Sequence, residues 1–327
     1  MRAMVIDAYG PPEVLHLAEV AKPVPGFDDV LVKIHATQVA AADYRVRGSK
    51  FPPMFWLPAR IGFGLRKPKI RILGGNFAGE VEAVGDNVQR YKPGDRVFGS
   101  TGGQFGAYAE FIAVPEEAAI ATMSEGMTYE EAAAIPFGAH TALFFLRDKG
   151  NIQPGQDVLI YGASGAVGTA AVQLAKHFGA HVTGVCSTAN VELVKSLGAD
   201  RVIDYTREDF SKGDPRYDVI FETVGKSSVS GGISVLKEDG VYLANVIELA
   251  TIFQMLRHSV GSDKQIVGTI ANTSHEDLVF IRDLVESGEF KAVIDRSYPF
   301  EEMAAAHRYA DTGRKKGNVV VLLEHDG

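Results

Sequence analysis

Short runs in which apolar and polar residues alternate fill the first third of the chain. Between Val30 and Ala36 every second residue is apolar, and Lys33 and His35 lie among the positions between them. Similar runs, separated by Gly, Pro and Asp, read VLHLAEV, AGEVEAVG, DRVFG and AYAEFIAV. A period of two between turn residues is typical of strands with one face on a core. The pattern therefore predicts a compact, barrel-like β domain up to about Pro115.

From Tyr129 onward, helical patterns alternate with short apolar runs. The helical patterns include EEAAAIPFGAHTALFFL and NVELVKSL, and the apolar runs are DVLIY, HVTGVC, RVIDY, DVIFETV and VYLANV. This alternation predicts an α/β region, in which a parallel sheet is covered by helices on both faces. Asn190 and Gly198 flank the second crossover helix as its expected N-cap and C-cap.

The last stretch of the chain contains two more helical patterns and a strand. These are EDLVFIRDLVES, EEMAAAHRYA and GNVVVLL. We expect this tail to return to the first domain. The predicted domains are therefore 1–122 together with 271–327, and 123–270.

A glycine-rich turn joins a strand to a helix in DVLIYGASGAVGTAAVQLAKHF, residues 157–178. Glycine permits a tight turn, close approach of the backbone to a pyrophosphate, and close packing of helix on strand, while the helix N-terminus offers unpaired N–H groups. Because a strand precedes the turn and a helix follows it, the segment predicts a cradle for a dinucleotide. The residues assigned to this cradle are Gly162, Ser164, Gly165, Ala166, Val167 and Gly168.

Composition narrows the function classes. The 327 residues, 46% hydrophobic, are enough for two cores, and their polar residues are spread too evenly for a membrane span. The single cysteine, Cys186, excludes an internal disulfide and a structural zinc site built from several thiolates. A net charge of −8 argues against nucleic-acid binding. The opening MRAMVIDAYG lacks a signal core or an Arg/Ser-rich presequence, so we expect a cytoplasmic location.

Segments along nearly the whole chain resemble the zinc-free quinone oxidoreductase branch of the medium-chain dehydrogenase/reductase (MDR) superfamily. They include AYGPPEVLHLAEV, GNFAGEVEAVG, KPGDRVFG, EEAAAIPFGAHTAL, IQPGQDVLIYGASGAVGTAAVQLAK, SLGADRVIDY and VIDRSYPFEEMAAAHRYADTG. The resemblance implies a GroES-like β-barrel catalytic domain interrupted by a Rossmann domain, with the active site in the cleft between them. It also implies hydride transfer from NADPH to a small hydrophobic acceptor, either a quinone or an α,β-unsaturated carbonyl.

Positions that hold zinc ligands in zinc-dependent relatives carry other residues here. Those relatives have a Cys after the A-T-x-Val segment and a His-Glu pair before the Ala-x-Gly turn, whereas this chain has Ala40, Gly75 and Asn76. The nine histidines show no HExxH or similar spacing. We therefore expect no metal. Alcohol oxidation is disfavoured without a Lewis acid, and an activated double bond needs less assistance.

The end of the second Rossmann strand indicates NADPH. NAD-preferring proteins have Asp or Glu there, bonded to the ribose 2′-hydroxyl, whereas this chain has Cys186, Ser187 and Thr188, which leave room for a phosphate. The resemblance assigns contacts with the 2′-phosphate to Ser187 and Tyr205.

Asn190, also assigned to the cofactor site, stands where relatives often carry Lys, which weakens the preference for NADPH over NADH. Lys195 and Arg207 either compensate for that lysine or are solvated surface charges.

By the same resemblance, Ala40 to Arg47 border the nicotinamide. Relatives commonly have Asn at Ala40 and Tyr at Arg45, so this segment departs from the family pattern. Tyr44 is the nearest phenol, and Arg45 is the nearest cation able to stabilise an oxyanion. The alternative reading makes both helix-surface residues, with Asp43 as an N-terminal cap.

Four more residues are assigned to the cofactor site by resemblance. Thr141 matches a threonine at the cofactor groove, Val224 and Gly225 end the fourth strand where the nicotinamide ribose passes, and Asn318 stands where relatives carry a Lys that reaches the cofactor. Each of these residues has an alternative role in capping or turning the chain.

Two segments are predicted to form surfaces that bind other molecules. The segment from Lys50 to Arg71 has apolar residues among prolines and cations, and is interpreted as a lid over the substrate, with ordinary packing or a membrane-surface patch as alternatives. The run KQIVGTI is a candidate sheet edge for a homodimer.

Two other functions stay open from the sequence. An enoyl-thioester reductase would show a basic entrance for the coenzyme A phosphates, and the acidic balance argues against it. A crystallin-like or sensor protein would bind NADPH and oxidise it with no acceptor.

Overall fold

The computed structural model describes residues 1–247, 249–258 and 263–325, which fall into two compact units. The first unit comprises Met1–Phe137 and Thr273–Gly327, and the second comprises Gly138–Asn272. The first boundary lies inside a helix, whereas the sequence places it at 122/123. The assignment of a catalytic and a cofactor role to the two domains stays a prediction.

The N-terminal part of the first unit is mostly antiparallel sheet. Its elements are β1 (Arg2–Ile6), β2 (Leu15–Glu19), β3 (Asp29–Gln38), α1 (Ala41–Gly48), α2 (Pro53–Phe63), β4 (Asn76–Val84), β5 (Arg96–Ser100), β6 (Phe111–Pro115) and β7 (Ala119–Thr122). β1 pairs with β2, and β3 pairs with both β4 and β6, antiparallel in each case. The many short strands predicted for this region are confirmed.

The second unit follows from a long helix. Its elements are α3 (Tyr129–Leu143, whose first residues belong to the first unit), a π-helical turn (Phe144–Lys149), β8 (Asp157–Tyr161), α4 (Ala166–His177), β9 (His181–Cys186), α5 (Val191–Ser196), β10 (Arg201–Asp204), β11 (Tyr217–Glu222), α6 (Val229–Ser234), β12 (Leu236–Ala244), α7 (Leu249–His258) and β13 (Gln265–Gly268). The strands form a parallel sheet in the order β10-β9-β8-β11-β12-β13. The predicted doubly wound α/β fold is confirmed.

The C-terminal segment belongs to the first unit, as predicted. It contains α8 (His275–Glu286), β14 (Ile294–Pro299), α9 (Met303–Asp311) and β15 (Asn318–Leu322). β15 pairs antiparallel with β3, and β14 lies parallel to β15. The first four residues of the run NVVVL are all buried, so both faces of this added strand are covered.

Burial follows the apolar pattern that predicted the strands. Val30, Val32 and Ile34 of β3 are fully buried, whereas Lys33 and His35 are half-buried. The same core cluster takes in residues of α9 and β15, so the tail contributes to the core as well as to the sheet. Within the ranges that the structure describes, no helix is both long and apolar enough to cross a membrane.

Candidate functional site

The glycine turn after β8 is fixed by its own backbone. Gly162 has a φ of +81°, and a Cβ there would lie 2.3 Å from a methyl group of Val224. The N–H groups of Gly162 and Ala163 both donate to the carbonyl of Val185 in β9, each at 3.0 Å. Only glycine fits this position, because a side chain would meet both a strained φ and a neighbouring residue.

Gly165 and Gly168 have different roles in this turn. A Cβ on Gly168 would lie 2.1 Å from the carbonyl oxygen of Gly162, so glycine is needed for α4 to pack on the turn. A Cβ on Gly165 would meet nothing closer than 3.5 Å. Gly165 is the N-cap of α4, and no described side chain caps this end. The first N–H groups of α4 are therefore left for an anion, which fits the phosphates of a dinucleotide.

Three predicted cofactor residues meet at Asn190. Its Nδ2 donates to Ser164 Oγ at 2.9 Å and to Ser187 Oγ at 3.3 Å, which ties the glycine turn to the end of β9. Asn190 occupies the N-cap position of α5 as expected, but its side chain does not cap that helix because the amide is held by the two serines. Its Oδ1 is buried and lacks a hydrogen-bond partner among the described residues.

A carboxylate that sequence analysis missed lies beside this cluster. Thr188 Oγ1 donates to Asp204 Oδ2 at 2.6 Å, and this bond is the main reason why the pKa of Asp204 is lowered. Tyr205, the next residue, is 54% exposed, and its N–H donates to the carbonyl of Cys186. β9, the second strand along the chain of the parallel sheet, does not end in an acidic residue, but β10 ends in Asp204. The Thr188 hydroxyl already donates a hydrogen bond to the Asp204 carboxylate.

The loop after β11 is organised by Glu222, which sequence analysis did not single out. Its carboxylate accepts hydrogen bonds from the N–H groups of Val224 at 3.2 Å, Gly225 at 2.6 Å and Lys226 at 3.3 Å. Burial raises the pKa of Glu222, and these N–H bonds oppose the rise. The sequence signal that could have identified Glu222 is an acidic residue at the end of the apolar run DVIFE. Glu222 therefore holds the loop that carries the predicted Val224 and Gly225.

α3 passes close to the start of α4 within the second unit. A Cβ on Gly138 would lie 2.5 Å from the carbonyl oxygen of Ala166, so the two backbones are in close contact. Thr141, predicted at the cofactor groove, is buried three residues further along α3. Helix periodicity places Thr141 on the same side of α3 as Gly138, toward the cradle.

Tyr44 and Arg45 both lie half-buried on α1 in the first unit. Burial raises the pKa of the Tyr44 phenol, so it is neutral at physiological pH. The Arg45 guanidinium makes no hydrogen bond or ion pair within the described part of the chain. Asp43 accepts the N–H groups of Ala40 at 2.7 Å and Gly74 at 3.0 Å, so its expected role as an N-terminal cap is confirmed.

A buried polar cluster surrounds Asp43, and sequence analysis did not predict it. Tyr108 hydrogen-bonds Asp43, and its hydroxyl lies 3.0 Å from His307 Nε2. Burial raises the pKa of Asp43 to about 7 and holds the pKa of His307 well below its usual range. Arg47, fully buried, pairs with Asp311. The cluster joins α1, the loop before β6 and α9, which are far apart in sequence.

Asn318, predicted to reach the cofactor, has both amide atoms engaged inside the first unit. Its Oδ1 accepts from Gln38 Nε2 at 2.5 Å, and its Nδ2 donates to the carbonyl of Val293 at 3.0 Å. Gln38 in turn accepts from Asn76 Nδ2 at 3.0 Å. Contact with a cofactor would require these buried bonds to open.

The position matching a zinc ligand at Asn76 is thus part of a hydrogen-bonded amide chain. Across residues 1–247, 249–258 and 263–325, no three His, Cys, Asp or Glu side chains are grouped so that they could hold a metal ion.

Two family models match the chain. The model described as an alcohol dehydrogenase GroES-like domain matches residues 26–124, and the one described as a zinc-binding dehydrogenase matches residues 197–321. These matches fall on segments from both compact units.

Individual relatives match over almost the whole chain. The chain is 34% identical to a 2-methylene-furan-3-one reductase of Solanum lycopersicum and 32% identical to a chloroplastic NADPH-dependent alkenal/one oxidoreductase of Arabidopsis thaliana, with 98% of this chain and 79% of each relative covered. Among solved structures, the quinone oxidoreductase of Coxiella burnetii has a TM-score of 0.88 at 27% identity, with 99% of both chains covered.

Proposed function

Since the chain belongs to the quinone oxidoreductase-like branch of the medium-chain dehydrogenase/reductase superfamily, we propose that it is an NADPH-dependent, metal-independent reductase of quinones or α,β-unsaturated carbonyls. The observation that carries the cofactor part of the proposal is the glycine turn of the second unit. A Cβ at Gly165 would meet only one atom, at 3.5 Å, and the uncapped N-terminus of α4 beside it suits the negative charge of a pyrophosphate.

Selectivity for NADPH is assigned to Ser187, Asn190 and Tyr205. Asn190 donates its amide hydrogens to Ser164 and Ser187, so it positions Ser187, whose own hydroxyl hydrogen can be donated to a 2′-phosphate. Asp204 opposes this preference through charge repulsion. One charge-assisted bond contributes roughly 1.5–3 kcal/mol, and we therefore expect NADPH to be favoured over NADH by about tenfold or somewhat more.

The bound NADPH supplies the hydride. The chain orients the reactants and stabilises the negative oxygen that forms on the acceptor. Arg45 is assigned to that oxygen because its guanidinium is not engaged elsewhere in the described structure, and the neutral Tyr44 phenol is assigned as a hydrogen-bond donor. Asn318 is left out of the proposed site because its amide is already bonded.

Substitution of Arg45 and Tyr44 tests these assignments. Arg45→Met keeps the aliphatic stem and removes the charge, and Tyr44→Phe removes only the hydroxyl. We expect kcat/KM for the acceptor to fall by about ten- to a hundredfold for Arg45→Met, with the Kd for NADPH unchanged. Unchanged kcat/KM in both variants would remove these residues from the mechanism.

Independence from metal is proposed from Ala40, Gly75 and Asn76 at the positions where zinc-dependent relatives carry ligands. The proposal predicts that elemental analysis of the purified protein finds less than one zinc per ten chains and that EDTA leaves activity unchanged. Stoichiometric zinc, or a loss of activity on chelation, would contradict it.

The acceptor class is tested by NADPH oxidation against a panel. The panel contains simple quinones, 2-alkenals, enones and enoyl-coenzyme A thioesters. We expect turnover of quinones or enones with kcat/KM well above that for the thioesters. The opposite order would favour an enoyl-thioester reductase, and tight NADPH binding with no acceptor in the panel would favour a non-enzymatic binding protein.

A homodimer and a cytoplasmic location are also proposed. β13 is the edge strand of the parallel sheet, which supports pairing of two copies at KQIVGTI. Light scattering should then show a dimer, and Ile270→Asp, at a position 86% exposed in the structure, should shift it toward monomer. The free, buried Cys186 is compatible with a reducing compartment, and cell fractionation tests the location.

A further inference from the structure

α2 exposes an apolar stripe that nothing in the described structure covers. Met54, Leu57 and Ile61, spaced three and four residues apart, are 38%, 55% and 57% exposed, and Leu65 just beyond the helix is 59% exposed. Phe55 and Trp56 are also exposed. Scattered exposed apolar residues are normal, whereas a contiguous apolar patch marks a binding surface.

The opposite side of α2 is fixed to the first unit. Phe63 stacks on Phe51 with ring centroids 5.9 Å apart and meets Phe105 edge-on. The Tyr9 hydroxyl donates to the carbonyl of Phe63 at 2.7 Å, and the Arg60 guanidinium lies 4.0 Å from the centroid of the Tyr9 ring. The helix therefore has an anchored side and an outward side.

The stretch of sequence that contains α2 is basic, although two of its cations, Arg47 and Lys50, pair with Asp311. Residues 44–79 contain eight Arg and Lys residues and no Asp or Glu, although the chain as a whole carries a net charge of −8. Arg66 and Lys67 follow the helix directly, are exposed, and form no ion pair with any described residue. Lys69 and Arg71 extend the same basic loop, and Arg71 pairs with Asp7.

We propose that α2 and residues 65–71, together called the basic apolar patch, bind the surface of an anionic phospholipid bilayer. The stripe enters the boundary between headgroups and acyl chains, and the adjacent cations contact lipid phosphates. Charge complementarity selects this occupant, because two copies of the chain joined through this patch would bring like charges together.

Vesicle flotation of the full chain tests the proposal without NADPH or acceptor, so its outcome is independent of the proposed enzymatic function. The vesicles contain phosphatidylcholine alone or a mixture with phosphatidylglycerol. We expect binding to the anionic vesicles and a decrease in binding at high salt. Trp56 is the sole tryptophan, so its emission should shift to the blue with anionic vesicles and be quenched by brominated lipids.

Charge-matched variants separate the patch from the overall charge. Each cation near an anionic surface strengthens binding about fivefold. Arg66→Gln with Lys67→Gln should therefore lower the partition coefficient roughly 25-fold. Arg314→Gln with Lys316→Gln removes two exposed cations elsewhere in the first unit and should change it less than twofold.

The apolar stripe has its own control. Leu57→Gln with Ile61→Gln should reduce vesicle binding at least tenfold, whereas Val24→Gln with Phe27→Gln, at exposed positions in the loop between β2 and β3, should leave it unchanged. Circular dichroism verifies that each variant is folded. Absence of wild-type binding to anionic vesicles would overturn the proposal, as would equal losses in the control pair. A dimer abolished only by Leu57→Gln with Ile61→Gln, without vesicle binding, would assign the patch to self-association.

Discussion

The glycine turn of the second unit, which is the proposed phosphate cradle, and the buried polar cluster of the first unit are built in different ways. The turn is fixed by main-chain hydrogen bonds and close backbone contacts within Tyr161–Thr169 and with Val185. The cluster is made of side chains, with Asp43, Tyr108 and His307 contributed by three separate regions. The cradle should therefore be sensitive to an added Cβ, and the cluster to the loss of a single polar group.

The largest expected effect comes from Gly168→Ala in the cradle. The added Cβ would lie 2.1 Å from the carbonyl oxygen of Gly162, and α4 would have to move off the turn. We expect the free energy of unfolding to fall by about 3 kcal/mol or more, measured by urea denaturation.

Gly165→Ala is the matched control for that substitution. Its Cβ has no contact closer than 3.5 Å, and the φ of −83° suits alanine, so stability should change by less than about 1 kcal/mol. NADPH affinity should nevertheless fall about tenfold or more, because the methyl group would lie beside the uncapped N-terminus of α4. Equal loss of stability in the two variants would contradict the division of roles between these glycines.

The next effect concerns the side-chain cluster. Asp43→Asn replaces one of two carboxylate acceptors with an NH₂ group, so the N–H of either Ala40 or Gly74 loses its partner. We expect a cost of about 1–3 kcal/mol in unfolding free energy. Calorimetry with NADPH should give an unchanged Kd. A large loss of NADPH affinity with normal stability would show that the cluster serves the cofactor site.

Asp43 also makes a smaller, pH-dependent contribution. Its pKa is about 7 in the folded state and 3.8 for the unperturbed group, so folding retains a proton that the unfolded chain releases above pH 4. This contribution to stability is complete at low pH and is lost as pH rises toward 7. His307 acts in the opposite direction, because its lowered pKa favours the unfolded state below about pH 6.5.

Comparison of Asp43→Asn with the wild type isolates the Asp43 contribution. Between pH 6 and pH 8, the wild type should lose about 1–2 kcal/mol more unfolding free energy than the variant. Parallel pH profiles would show that Asp43 is ionised throughout this range.

The contrast between a local backbone turn and a cluster of distant side chains explains which features could be predicted from the sequence. The glycine turn was predictable because its glycines lie directly between a strand pattern and a helix pattern. The return of the tail was predicted from its two helical patterns and its final strand GNVVVLL. The role of Asp204 was not predicted because its contact with Thr188 depends on the pairing of two strands. The cluster of Asp43, Tyr108 and His307 was not predicted because no local sequence pattern links residues so far apart.

The hydrogen bonds of the side chains also distinguish the predicted site residues from one another. Ser164, Ser187 and Asn190 were chosen singly and are found hydrogen-bonded together. Asn318 was chosen on the same grounds, but its amide is bonded to Gln38 and Val293. A sequence identifies the residue type at a position, whereas the structure shows which of its polar atoms are available.

Calorimetric titration of the wild type and Asn190→Asp with NADPH and NADH tests the central claim most directly. The introduced carboxylate would repel a 2′-phosphate and spare a 2′-hydroxyl. We expect the wild type to bind NADPH about tenfold more tightly than NADH. Asn190→Asp should weaken NADPH binding at least tenfold and leave NADH within twofold. Equal wild-type affinities for the two nucleotides, or an unchanged NADPH affinity in Asn190→Asp, would contradict the account.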